Sequence, residues 1–146
     1  MKHTMDRQKK VIAICVWGTA SRGKTSTIRK VFELLAAKNK SIRSNSAQWD
    51  IHATAEYKGK KIGFCSQGDP APYNNQCSIL EGLINEGCDI VVCASRTKGE
   101  TVNLITRLFD EVIWVHNLCV EPYEGNEGVA EEMNILSAKS IIKLLG

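Results

Sequence analysis

The sequence predicts a single α/β domain built on a mostly parallel sheet, and three observations carry that prediction. Segments of continuous apolar, β-branched residues alternate with segments whose apolar residues recur at helical spacing, which is the pattern of strand and helix units in succession. Two apolar segments, residues 11–17 (VIAICVW) and 89–95 (DIVVCAS), lack the polar alternation of a half-exposed strand and belong in a sheet covered on both faces. The chain has 146 residues, the size of one ordinary domain, so residues 1–146 are read as one unit.

Residues 11–17 form the first predicted strand. After a glycine-rich turn, residues 26–38 (STIRKVFELLAAK) place Ile28, Val31, Phe32, Leu35 and Ala36 on one side of a first helix. Residues 39–48, which include Arg43, Ser44, Asn45 and Ser46, are polar and read as a loop. Residues 49–57 (WDIHATAEY) and 61–66 (KIGFCS) read as a β-hairpin, with Gly59 supplying the turn between them. Gln67-Gly68-Asp69-Pro70 ends this third strand, and Pro72 helps to start a helix over residues 74–86 that Gly87 stops. Residues 89–95 are the fourth strand, central in character, followed by a polar turn at 96–99 and a helix from about 100 to 109. Residues 111–116 (EVIWVH) are the fifth strand; Pro122 and Gly125 mark a loop, and residues 129–145 have the spacing of a closing helix.

Composition narrows the function classes. Hydrophobic residues make up 43% and charged residues 24%, the balance of a globular domain. Nineteen basic residues against 16 acidic ones leave a formal charge of +3, too little to support a nucleic-acid or membrane-surface role. Lys2, Arg7, Lys9 and Lys10 precede the apolar run at 11–17 and imitate a signal peptide, but the run is short and leads into a phosphate-loop pattern that cleavage would destroy. No segment approaches the roughly 20 apolar residues of a membrane span. Six cysteines without a C-x-x-C pair give no zinc or redox motif, and Cys15, Cys65 and Cys93 fall inside strands as buried, reduced thiols. A cytoplasmic location follows as the expectation. His3, His52 and His116 are scattered and do not suggest a metal cluster, while Trp17, Trp49 and Trp114 lie on strands and read as core or sheet-face aromatics.

One motif carries chemistry. Gly18-Thr19-Ala20-Ser21-Arg22-Gly23-Lys24-Thr25 matches G-x-x-x-x-G-K-[ST] in full and lies between a predicted buried strand and an amphipathic helix, the context that the motif requires. Gly18 and Gly23 let the backbone approach phosphate oxygens without a Cβ in the way. Successive N–H groups and the helix N-terminus supply positive potential. Lys24 neutralises charge between β- and γ-phosphates, Thr25 offers a hydroxyl to Mg²⁺, and Ser26 or Thr27 reaches the α-phosphate side. Arg22 points to solvent or to phosphate.

At these residues the chain resembles the P-loop NTPase superfamily, over residues 11–38. The resemblance implies a three-layer α/β fold that binds ATP or GTP with Mg²⁺. Together with the hairpin it implies a five-stranded sheet of order 2-3-1-4-5, with an antiparallel hairpin at one edge and the first strand central. It also implies a second acidic Mg²⁺ ligand at the end of a neighbouring strand, and Asp69 stands in that place, with Asp50 as a weaker candidate. Ser66, Gln67 and Gly68 intervene between strand and acid, so Ser66 or Gln67 competes to face the metal's water. The hairpin followed by Ser-Gln-Gly-Asp is similar to the small GTPase arrangement, which implies that Gln67 orients water. The chain departs from that group: it lacks D-x-x-G after the third strand, and His116-Asn117-Leu118-Cys119-Val120 lacks the Lys and Asp of N-K-x-D. ATP is therefore expected over GTP, and the match of Ser137-Ala138-Lys139 to another GTPase motif is coincidental.

Arg96-Thr97-Lys98-Gly99-Glu100-Thr101 directly follows the fourth strand, at the carboxyl edge where α/β proteins bind ligands. Similarity to small P-loop kinases implies that Arg96 or Lys98 clamps a transferring phosphate; the other reading is a solvated turn. Three functions remain open: a small Mg²⁺-dependent ATPase, a kinase passing the γ-phosphate to a small acceptor with Asp69 or Asp50 as base, and a non-catalytic nucleotide sensor or protein-partner domain. Lys24, Asp69, Gln67 and Arg96 are the expected catalytic residues.

Overall fold

The computed structural model describes residues 10–17, 21–36, 43–44, 51–66, 75–95, 100–116 and 127–146. In chain order these form β1 (Ile12–Trp17), α1 (Ser21–Ala36), β2 (Arg43–Ser44), β3 (His52–Tyr57), β4 (Lys60–Cys65), α2 (Asn75–Asn85), β5 (Ile90–Ser95), α3 (Glu100–Leu108), β6 (Glu111–His116) and α4 (Glu127–Leu144). The fold is α/β, with four helices around a mixed sheet. All five predicted strands form, as β1, β3, β4, β5 and β6. A two-residue strand, β2, is added where a loop was expected, pairing Arg43 and Ser44 with Thr54 and Ala53.

The sheet order is β2-β3-β4-β5-β1-β6. This corrects the expected order 2-3-1-4-5: β5, the fourth predicted strand, lies between the hairpin and β1. In the predicted numbering the order becomes 2-3-4-1-5. β1 and β5 are both apolar and both flanked on two edges, so no local feature separates them; the order is set by long-range pairing, β5 joining β4 from Ile62 to Cys65 and β1 from Ile12 to Trp17. The strands β4, β5, β1 and β6 run parallel, and β2, β3 and β4 are antiparallel to their neighbours within that edge.

Lys58 and Gly59 make the hairpin turn with φ of 53° and 80°. Two consecutive positive φ values match the twist that a two-residue hairpin needs, and glycine supplies the second without strain.

Two cores hold the layers together. On one face, Ile28, Val31 and Leu35 of α1 and Ala138 and Ile141 of α4 cover Ile14, Val16, Phe64 and Val92. Phe32 meets Phe64 edge-on, with ring centroids 5.4 Å apart. On the other face, Leu80 and Leu83 of α2 and Leu104 and Ile105 of α3 cover Ala13, Cys15, Cys65, Val91 and Cys93. The three strand cysteines are fully buried and stand in register across the sheet, Cys65 beside Cys93 and Cys93 beside Cys15, as expected of structural thiols. The Cys93 thiol is pushed well up from its ordinary value, first by a hydrogen bond with Cys15 and then by burial.

Aspartates staple the amino edge. Asp89, just before β5, accepts the Lys61 N–H at 2.8 Å, and Asp110, just before β6, accepts the Val11 N–H at 2.8 Å. Each satisfies an N–H at the start of a neighbouring strand and helps to fix its register. The opposite, carboxyl edge is thereby aligned: Trp17 of β1 is level with Ser95 of β5 and with His116 of β6.

Of the two places expected for Trp114, core or sheet face, it takes the sheet face. It lies on β6, at the sheet edge, and is 40% exposed, because β6 has a neighbour on one side only among the described residues.

Candidate functional site

The sequence places Gly18 directly after β1 and Lys24 in the first turn of α1. The helix starts at Ser21, earlier than the expected residue 26, so Ser21, Arg22, Gly23, Lys24 and Thr25 are helical backbone. Its first N–H groups have no partner one turn earlier, and its first turn carries no acidic side chain to offset the positive end of the dipole.

The helices leave the two central strands in opposite directions. From β1 the chain enters α1 on one face, and from the adjacent β5 it enters α3 on the other. Adjacent parallel strands whose connections diverge open a crevice at their carboxyl ends, which is where ligands bind in open α/β sheets. Lys24 spans this crevice. Its side chain is in a residue only 4% exposed, and its Nζ donates to the Ser95 carbonyl oxygen at 3.0 Å, at the last residue of β5. An ammonium group is among the most expensive groups to bury, so its confinement here concentrates positive charge at the mouth of the crevice.

The neighbouring hydroxyls divide by direction. Thr27 is fully buried and its Oγ1 lies 3.4 Å from Asn134 Oδ1 on α4, so it braces two helices and does not reach toward the crevice. Thr25 is half-buried and Ser26 exposed.

At the end of β4, Ser66 closes the hairpin. Its Oγ accepts the Ile51 N–H at 2.7 Å while its own N–H donates to the Ile51 carbonyl at 3.0 Å. This reciprocal pair is structural and gives the Ser66 side chain a task other than facing a metal's water.

The corrected strand order rearranges the candidate residues. Ser66 and the segment beginning at Gln67 leave β4, two strand spacings or roughly 10 Å from β1, whereas Arg96 follows Ser95 on the strand directly beside β1. Gly18, Thr19, Ala20, Gln67, Asp69, Arg96, Lys98 and Asp50 themselves lie outside the described residues. So do the side chains of Ser21 and Arg22.

A feature that sequence reading missed is the contact between Trp17 and His116, whose rings stack at 4.6 Å and 30°. It caps the carboxyl ends of β1 and β6. Both residues end predicted strands, but only the β1–β6 pairing brings them together.

Among the described residues, no group of three or more His, Cys, Asp or Glu side chains could hold a metal ion, and no helix is long and apolar enough to cross a membrane. Comparison with protein-family models, curated proteins and solved structures gave no match.

Proposed function

We propose that this chain binds the phosphates of a nucleoside triphosphate, ATP in preference to GTP, at the crevice between β1 and β5, and hydrolyses it with Mg²⁺. The observation that carries this reading is Lys24: an ammonium group buried at the divergence of α1 and α3, at the positive end of a 16-residue helix, within a complete G-x-x-x-x-G-K-[ST] sequence. In this reading the γ-phosphate takes the Lys24 ammonium away from the Ser95 carbonyl. The N–H groups of residues 18–24 cradle the β-phosphate, and Thr25 lends its hydroxyl to Mg²⁺. Asp69 completes the metal's ligands through water and Gln67 orients the attacking water.

Kinase activity is the second reading, and the strand order favours weighing it. Arg96 directly follows the residue that holds Lys24, so a basic group from this turn would meet a transferring phosphate.

A thermal-shift panel of ATP, GTP, ADP and AMP, each with and without Mg²⁺, tests the proposal, since a ligand that binds only the folded state raises its stability. A shift with Mg²⁺ and ATP that exceeds the shift with AMP supports it. No shift with any triphosphate overturns it. Phosphate release without an added acceptor then separates hydrolysis from transfer.

A further inference from the structure

Side-chain alternation sets an aromatic pair at the carboxyl edge of the sheet. On β1, Ala13 and Cys15 face α2 and α3, so Trp17, two residues on, faces the same way. On β6, Val112 lies against that same core, so Trp114 and His116 follow it. Register then puts Ser95, Trp17 and His116 in one row across β5, β1 and β6. Within the row the Trp17 and His116 rings stack, with centroids 4.6 Å apart and planes 30° from parallel.

This pair is not sealed into the core. Leu104 and Ile105 of α3 cover the sheet on this face, while in the carboxyl half of β6 both Trp114 and His116 are exposed. Aromatic surface open to solvent, at the edge where α/β sheets bind ligands, is suited to receive another flat ring. On the far side of β5, by contrast, β4 ends in Ser66, which is buried and bonded to Ile51 through both its hydroxyl and its N–H. Among the described residues, no exposed aromatic ring stands at the carboxyl end of β4 or β5.

Trp17 lies on the strand beside β5, whose Ser95 carbonyl holds the Lys24 ammonium. Strand spacings of about 4.8 Å set Ser95 and His116, one on each side of β1, roughly 10 Å apart. One nucleotide bridges such a separation between its phosphates and its base.

We infer that the Trp17–His116 pair is the base subsite of the nucleotide site, with the phosphates at Lys24 and the purine ring laid over the exposed His116 side of the stack. This rests on the reading of the crevice as a triphosphate site and assigns the end of the ligand that Lys24 leaves unspecified. Stacking on an aromatic face holds a base without reading its edge, so the pair supplies affinity for the nucleoside half of the ligand.

Isothermal titration of the full chain with ATP and with inorganic tripolyphosphate, each with Mg²⁺, tests the inference, because the second ligand has phosphates and no base. The ratio of the two affinities, ATP over tripolyphosphate, should fall by about ten-fold in His116→Ala. His116→Phe keeps a ring for stacking and should restore the ratio. Circular dichroism on each variant checks that the fold is retained. A ratio unchanged in His116→Ala, or one that His116→Phe does not restore, would overturn the base subsite and leave the phosphate reading standing. Binding of neither ligand to the wild-type chain would overturn both.

Discussion

The Lys24 ammonium donates to the Ser95 carbonyl at 3.0 Å, tying the first turn of α1 to the carboxyl end of β5 across the line where the helices diverge. This contact brings together a residue that the sequence marks for phosphate binding and a strand that the sequence marks as central. In the proposed reading it is also the contact from which a phosphate would draw the ammonium group.

Replacing Lys24 separates stability from function. Lys24→Met relieves the cost of burying a charge but takes the donor from the buried Ser95 carbonyl, and the two effects oppose each other. The variant should therefore change the melting temperature without nucleotide only slightly, while removing the shift caused by ATP. Differential scanning calorimetry with and without nucleotide reads both quantities.

Gly63 permits close approach of α2 to β4. A Cβ at this position would stand 3.0 Å from Cys88 Sγ and 3.1 Å from Leu83 Cδ2. Gly63→Ala should therefore destabilise the fold by about 1–3 kcal/mol through overpacking, measured as a lower urea midpoint.

The aspartate staples make a second stability prediction. Removing the carboxylate in Asp110→Ala leaves the Val11 N–H without its 2.8 Å acceptor at the start of β1, and Asp89→Ala does the same to Lys61 on β4. Each change should cost about 1–3 kcal/mol in chemical denaturation. Hydrogen exchange should quicken first at the amide that lost its acceptor.

The buried thiols set a pH limit. Folding raises the Cys93 pKa above its ordinary value of about 8.5, so the folded chain holds that proton more tightly than the unfolded chain does. The resulting stabilisation is complete below that ordinary value and is lost as pH rises toward the folded one. The urea midpoint should fall as pH climbs from about 8 to 10, less steeply in Cys93→Ala. Cys15, Cys65 and Cys93 should resist thiol reagents until the protein unfolds.

Element types were legible in the sequence, because local apolar periodicity dictates them: the five expected strands, the four helices and the Lys58-Gly59 turn all form, with α1 beginning five residues early and β2 added. Strand order was not legible to the same degree. VIAICVW and DIVVCAS are both continuously apolar, so nothing local says which lies next to the hairpin, and a pairing between distant segments decides it. The start of α1 was hidden for a related reason: Gly23 reads as a loop residue, yet helical geometry continues through it from Ser21. Within the site, Lys24 and Thr25 were legible from motif spacing, but the Ser95 partner and the inward turn of Thr27 depend on which helix packs where. The bracing role of Ser66 likewise follows from its pairing with Ile51, which no sequence pattern announces.

The central claim is that the crevice holding Lys24 receives a polyphosphate. Isothermal titration of ATP with Mg²⁺ into wild-type protein and into Lys24→Ala tests it most directly. The account predicts one binding site in the wild type and an affinity at least about 100-fold weaker in the variant, roughly 2.7 kcal/mol. Equal affinity in the two proteins, or no binding to the folded wild type, would contradict it.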